Sequence, residues 1–453
     1  NSWSSEADGS GFSPYRFSSG YQTFIIQNEQ TCTTEADWSL SGTDTKIIIE
    51  NGGTLIASYP IIVSADVTLQ IEDGGTYKHN NTTTDIWNGS EIIDANSTIS
   101  YGYAGNQNIE ALDYGNLEIS NTGDKILQGD VTISGNLNLS EAKLVLGNYN
   151  LTIENGAIIS GVGFSSTNMI VAEGTGQLIK KGNTGEDFKM VYPLGLEGNY
   201  TPVEISDLSA TIASGSTFSV QSISSAASGV PGSNPLNRHW VTSTSGISGS
   251  VVADISFGYV PGDIPSGGTP IRYEILYQPS SGDWSTPGGA SATGVNPLRA
   301  SEASTLDAIW TAVEIDKRVF YSFKSGSWDD ASTWTLDPSG TQLLNPNNVT
   351  PSTSATSEND EVVILGESNG HSFTSISGTG RIRLAADNFP AGDATHFVTA
   401  GQGEGTVEYY GSSRSLNIAR SYFNMDVNMT AANTLTLKQD YIIYGNLIIT
   451  GGI

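Results

Sequence analysis

The chain has 453 residues, enough for roughly two to four domains, and carries 19 Lys and Arg against 47 Asp and Glu, a formal net charge of −28. Such acidity excludes nucleic acid as a partner, which demands a basic footprint, and disfavours an anionic membrane surface. Apolar residues make up only 37%, with 52 Gly and 15% charged residues, a composition of short strands between turns and not of helices. Cys32 is the only cysteine, so no disulfide forms within the chain. Asn1-Ser2-Trp3 reads as an internal or processed start, and no apolar run is long enough to span a bilayer as a helix.

Residues 1–42 read as a connector or cap to a first solenoid over 43–163. There Ile49-Glu50-Asn51-Gly52-Gly53-Thr54-Leu55 recurs as Ile71-Glu72-Asp73-Gly74-Gly75-Thr76-Tyr77, 71 − 49 = 22 residues later. Ile153-Glu154-Asn155-Gly156-Ala157 gives it a third time, and Val131, Leu137, Leu144, Leu151 and Ile158 follow at steps of six or seven. Short strands closing a coil of roughly 20 residues predict a parallel β-helix, with Gly at corners that need positive φ. Ile49, Leu69, Ile71, Val131, Ile133, Leu137, Leu144, Leu151 and Ile153 are expected to point inward in one stacked column. An antiparallel sandwich is the alternative for this segment.

Over 164–317 the apolar runs lengthen and spread, as in Met169-Ile170-Val171-Ala172 and Ile271-Arg272-Tyr273-Glu274-Ile275-Leu276-Tyr277. Their alternation predicts an antiparallel β-sandwich, with Trp240, Trp284 and Trp310 as packing residues and not a sugar platform. Residues 318–360 form the cap and loop of a second unit, and 361–453 an incomplete second β-helix. Ser97-Thr98-Ile99-Ser100-Tyr101-Gly102 matches Gly405-Thr406-Val407-Glu408-Tyr409-Tyr410, an offset of 406 − 98 = 308. Gly135-Asn136-Leu137 matches Gly445-Asn446-Leu447 at 445 − 135 = 310. The expected fold is therefore all-β, with solenoid segments alternating with a sandwich in an elongated tandem array. The copies should superpose, Gly135 on Gly445 and Ile99 on Val407. A second copy that stops in mid-repeat leads us to expect a piece of a longer protein.

The run from Arg318-Val319-Phe320-Tyr321 through Gly326-Ser327-Trp328-Asp329-Asp330-Ala331-Ser332-Thr333-Trp334 resembles a motif of giant repetitive cell-surface adhesins of gliding Bacteroidota. Leu236-Asn237-Arg238-His239-Trp240-Val241 resembles a recurring element of their sandwich domains. These adhesins, similar in kind to SprB, are exported by the type 9 secretion system. The resemblance covers most of 166–334 and implies an extracellular, cell-surface location. It further implies surface glycans or abiotic surfaces and an outer-membrane secretion or anchoring machinery as partners, and it brings no family catalytic residue.

Catalytic patterns are few. Gly366-Glu367-Ser368-Asn369-Gly370 with His371 imitates a nucleophile elbow, but a strand and not a helix follows it. Asn369-Gly370-His371 and Arg381-Ile382-Arg383 imitate pectin-degrading β-helix enzymes, yet lie too close together, with no paired Asp before them. His79, His239, His371 and His396 have no zinc spacing, and no calcium loop is present, although Asp329 with Asp330 or Glu72 with Asp73 offers weak Ca²⁺ ligands. No catalytic, cofactor-binding or metal residue is assigned. The sequence reads as a non-enzymatic adhesive or filament segment for attachment or gliding. The alternative is a secreted carbohydrate-active protein, either a β-helix lyase or hydrolase or a glycan-binding module.

Overall fold

The computed structural model describes residues 3–451, apart from 85, 186, 197, 269, 288–295, 316–318, 346–347, 349, 352–359, 367–370, 376–379, 388, 394–396, 398–404 and 419. Nearly all its regular structure is strand. Thr23–Ile26, Thr45–Ile49, Val67–Ile71 and Ser90–Ile93 form one parallel sheet, with Ile26, Ile49, Ile71 and Ile93 in register. A second parallel sheet of seven strands runs from Thr31–Thr33 to Ile158–Gly161. Later coils complete their circuit with two more faces, one containing Asp124–Leu127 and Lys143–Val145, the other Val131–Ile133 and Leu151–Ile153. This is the parallel solenoid that the repeated corners predict.

All nine residues expected inside are buried. They do not form a single column, because successive strands of one coil lie on different faces. Ile49, Leu69 and Ile71 belong to the first sheet, Leu137 to the second, Leu144 to the third, and Val131, Ile133, Leu151 and Ile153 to the fourth. Ile158 departs from the step of seven and is 55% exposed, while Ala157 turns inward in its place. The corner glycines Gly52, Gly74 and Gly156 have φ of +76°, +76° and +77°, left-handed backbone that a Cβ disfavours. Gly53 is needed for a different reason: a Cβ there would sit 2.4 Å from the carbonyl oxygen of Ile26 on the coil below.

The solenoid begins at Thr23, ahead of residue 43, and its parallel pairing continues through Leu194–Leu196, beyond residue 163. The early coil escapes the rhythm because its strand Thr31-Cys32-Thr33 is polar. The late ones escape it because the coil lengthens, from 151 − 131 = 20 residues to 178 − 151 = 27. At the N-terminal end Trp3, Phe17, Phe24 and Trp38 form one aromatic cluster, with Trp3 and Phe24 rings 5.3 Å apart. Trp3 and Phe17, ahead of the first strand, thereby pack against the core at this end.

The middle segment is not a free-standing pair of sheets. Its two long strands, Val203–Ile223 and His239–Phe257, form an antiparallel hairpin whose Ser216–Val220 pairs directly with the solenoid strand Leu178–Gly182. The solenoid face and the hairpin thus share one ten-stranded sheet. That sheet bends back on itself at register shifts between Ile205 and Asp207, Ser209 and Thr211, and Ile212 and Thr217. Trp240 and Phe257 are 17 residues apart on one strand, about 56 Å if it ran straight. Their rings lie 4.9 Å apart, and Phe257 also meets Trp310 at 5.2 Å. The expected separate sandwich is not confirmed: its antiparallel strands are joined through the hairpin to the edge of the last coil, whose backbone groups the hairpin takes up. Trp240 and Trp310 are fully buried and Trp284 is half-buried, in packing roles. Arg238 is buried as well, donating through Nε to Asp263 at 2.7 Å and through Nη2 at 3.1 Å.

A second solenoid starts at Val319–Ser322, again before the expected 361, and continues through Glu361–Ile364, Arg381–Leu384, Thr406–Gly411, Asn424–Met429 and Leu447–Ile449 in parallel. Trp328 and Trp334 sit buried in its first coil, rings 4.8 Å apart and edge to face, with Trp334 Nε1 donating to the Trp328 carbonyl at 2.8 Å. Described core residues fall into two apolar clusters, Phe24 to Ala312 and Phe320 to Met429.

The two solenoids reuse one coil. Tyr101 and Tyr114 join hydroxyls at 2.9 Å inside the first, and Tyr409 and Tyr422 do so at 2.8 Å inside the second. Asn116 Oδ1 accepts from the Asn136 amide at 2.8 Å, and Asn424 Oδ1 accepts from the Asn446 amide at 2.9 Å. Gly135 and Gly445 are each glycine for one reason: an added Cβ would lie 2.4 or 2.5 Å from that same asparagine oxygen. Ile99 and Val407 are both buried at equivalent register.

Candidate functional site

Side chains that alternate on a strand point to opposite faces of the sheet. Along the main sheet of the second solenoid, Val362, Ile382, Val407 and Met425 point inward, so their neighbours point out. Register then places Arg383 beside Glu408 and Glu408 beside Asp426, with Arg381 beside Glu361 on the adjoining positions. Arg381 Nη1 donates to Glu408 Oε2 at 3.0 Å and to Asp426 Oδ2 at 2.5 Å. Arg383 Nε donates to Glu408 Oε2 at 3.0 Å, and its Nη1 lies 3.5 Å from Glu361 Oε1. Asn428 Nδ2 adds a bond to Glu408 Oε1 at 3.1 Å, and the Arg383 guanidinium stacks 4.7 Å from the Tyr410 ring.

Burial works against charge on both arginines. For Arg381 the carboxylates of Asp426 and Glu408 more than offset it, and for Arg383 those of Glu408 and Glu361 do, so both guanidinium groups are held above their usual range. Two cations and three carboxylates interlock here, and each carboxylate already meets an arginine. The cluster fixes charge and geometry on the outward side of the sheet, where Glu361, Glu408 and Asp426 are themselves buried.

This convergence is the feature that the linear sequence concealed. Arg381 and Arg383 stand out as a pair, but their partners lie one coil or more away, at 408 − 383 = 25 and 426 − 381 = 45 residues. The self-similarity gives no help, since the first solenoid holds Thr76, Lys78, Ser100 and Glu118 at the matching register positions. Only the coil period, applied to charged residues as well as apolar ones, reveals it.

The other sequence candidates do not assemble into a site. Glu367 to Gly370 of the elbow-like pattern lie outside the described residues, as does His396. His371 is buried and opens a strand, its ring stacked 5.5 Å from Trp334. Burial depresses its pKa. His79 is buried too, between the rings of Tyr77 and Tyr101, with Nε2 bonded to the Thr83 carbonyl at 2.9 Å. His239 meets the Ser225 carbonyl at 2.7 Å, far along the hairpin. Asp330, capping a short 3-10 turn, accepts from Ser332 Oγ at 2.7 Å and from the Ser332 amide at 2.9 Å, which lowers its pKa. Among the described residues no three His, Cys, Asp or Glu side chains are grouped to hold a metal ion.

No protein-family model matches this chain, and no curated protein or solved structure is similar to it. The functional reading therefore rests on the molecule itself.

Proposed function

We propose that this chain is a structural and adhesive segment of a large extracellular bacterial surface protein, serving attachment or gliding and performing no turnover chemistry. The observation that carries the reading is the reuse of one coil design, with the Tyr101–Tyr114 and Tyr409–Tyr422 pairs 308 residues apart. Its internal bonds are kept while its outer face changes from Lys78, Ser100 and Glu118 to Arg383, Glu408 and Asp426. Repetition of this kind extends a molecule without enlarging any one core, which serves reach and display before chemistry. The resemblance of the Trp328–Trp334 run to adhesins of gliding Bacteroidota supports a cell-surface location, type 9 export, and glycans or abiotic surfaces as what it touches. A net charge of −28 limits self-association of a strand-rich chain.

Deleting the gene should impair attachment or gliding and leave polysaccharide breakdown intact. A second reading, a carbohydrate-active β-helix protein, is favoured by one observation, the Arg381–Arg383–Glu361–Glu408–Asp426 face. Glycan cleavage by the purified chain, lost in Glu408→Gln or Asp426→Asn, would establish that reading and overturn the first.

A further inference from the structure

Four Asn-Gly pairs occur in the chain, at 51–52, 88–89, 155–156 and 369–370, the last outside the described residues. An asparagine followed by glycine carries its own reaction, because the glycine amide nitrogen can reach the side-chain carbonyl when no Cβ stands in the way. Whether it does so depends on the surroundings of that nitrogen, and the three described pairs differ there.

Gly52 is held: its amide donates to the Gly74 carbonyl at 3.1 Å, and an added Cβ would lie 2.1 Å from Asn28 Oδ1. Asn51 is wedged against the next corner, its Oδ1 2.9 Å from where a Cβ of Gly74 would stand. Gly89 is crowded too, with the Val67 carbonyl oxygen 2.0 Å from its own Cβ position and Trp87 Nε1 anchored on that same oxygen. The third corner is open. Asn155 and Gly156 are both exposed, and the Gly156 amide makes no hydrogen bond within the protein. Beyond its chain neighbours, no heavy atom lies within 4 Å of the Gly156 Cβ position. The cause is its place in the fold: Ile158–Gly161, the strand this corner leads into, is the terminal strand of its sheet, which offers no further strand above it.

The same corner carries fixed positive charge. Lys180 Nζ donates to the carbonyls of Glu154 at 2.6 Å and Ala157 at 2.9 Å, on either side of the Asn-Gly pair, and Lys181 pairs with the Glu154 carboxylate. A cation there favours loss of the amide proton and the negative oxygen that develops on the Asn155 side-chain carbonyl.

We propose that Asn155 is a self-modifying site, converted in the folded chain to aspartate and isoaspartate ahead of the other described Asn-Gly pairs. The Gly156 amide loses its proton, and its nitrogen bonds to Asn155 Cγ while the Cγ–Nδ2 bond breaks and ammonia leaves. Water then opens the resulting succinimide at either carbonyl, giving aspartate or isoaspartate with no oxidant or further reactant. The product adds a negative charge beside Lys180 and Lys181, and isoaspartate lengthens the main chain at the corner by one carbon.

The test is peptide mapping by mass spectrometry of the intact chain through a warm incubation at mildly alkaline pH, run folded and in urea, with isoaspartate resolved by chromatography. Conversion at Asn155 at least tenfold faster than at Asn51 and Asn88 in the folded chain, with the three rates drawing together in urea, is the expected result. Lys180→Met, shown to be folded by a thermal melt, should slow Asn155 severalfold and leave Asn51 unchanged. No conversion at Asn155, or equal rates at the three pairs in the folded chain, would overturn the site. The same ranking kept in urea would assign it to local sequence and overturn the structural account. An unchanged rate in Lys180→Met would overturn the part given to the lysine charge. The comparison of folded and unfolded wild type decides the site whether or not that variant folds.

Discussion

At the scale of single residues, stability is concentrated where coils touch. Leu144 is fully buried and stacks against Ile170 on the next coil. Leu144→Ala removes that contact and leaves a void that rigid coils above and below cannot close, so it should cost about 2–5 kcal/mol. Urea unfolding of the variant checks this, and a cost near zero would mean that the coil collapses around the gap. His79 and His371 give a second expectation. Burial holds both below the ordinary histidine value, and His79 keeps its lowered pKa although its bond to Thr83 works the other way. A histidine depressed on folding binds fewer protons in the folded than in the unfolded chain. Its penalty is absent above about pH 6.5 and grows as pH falls through that value towards the folded pKa. Stability should therefore drop between about pH 7 and 5, and His371→Phe should flatten part of that drop in melts run across the range. An unchanged slope would place the acid sensitivity elsewhere, in the carboxylates.

At the scale of elements, the corners and the inward residues were legible from the chain because they are local. An Asn-Gly or Asp-Gly step fixes a turn by itself, and Ile or Leu two residues away fixes which face is inside. Gly75 illustrates the local rule: a Cβ there would lie 2.6 Å from the Ile49 carbonyl oxygen, which is backbone and cannot swing aside. Gly75→Ala should destabilise by about 1–3 kcal/mol. Ala157→Gly, at the matching position of the third corner, should cost clearly less, and equal costs in parallel denaturation curves would contradict the close-approach argument. What the chain concealed was non-local. The alternation in Val251-Val252-Ala253-Asp254-Ile255 correctly announces an antiparallel strand, but nothing in it says that the same strand bends until Phe257 meets Trp240. The charged face behaves alike: Arg381 is visible in one dimension, Asp426 joins it only after two coils have been wound.

At the scale of the molecule, the ladder between Leu178–Gly182 and Ser216–Val220 has a mechanical consequence. Two modules joined by a linker yield one after the other under tension. Here the hairpin and the first solenoid hold each other through backbone hydrogen bonds and one continuous apolar cluster from Phe24 to Ala312, whereas the second solenoid has its own from Phe320 to Met429. A pull on the two ends of the chain should therefore give two main rupture events in a single-molecule force trace. One releases the contour length of the first solenoid together with the hairpin, the other that of the second solenoid. Three separate ruptures, with the hairpin lost as its own step, would contradict the joint. Such a weld carries load to many strands together, so the joint between the hairpin and the first solenoid does not give way before the strands on either side of it.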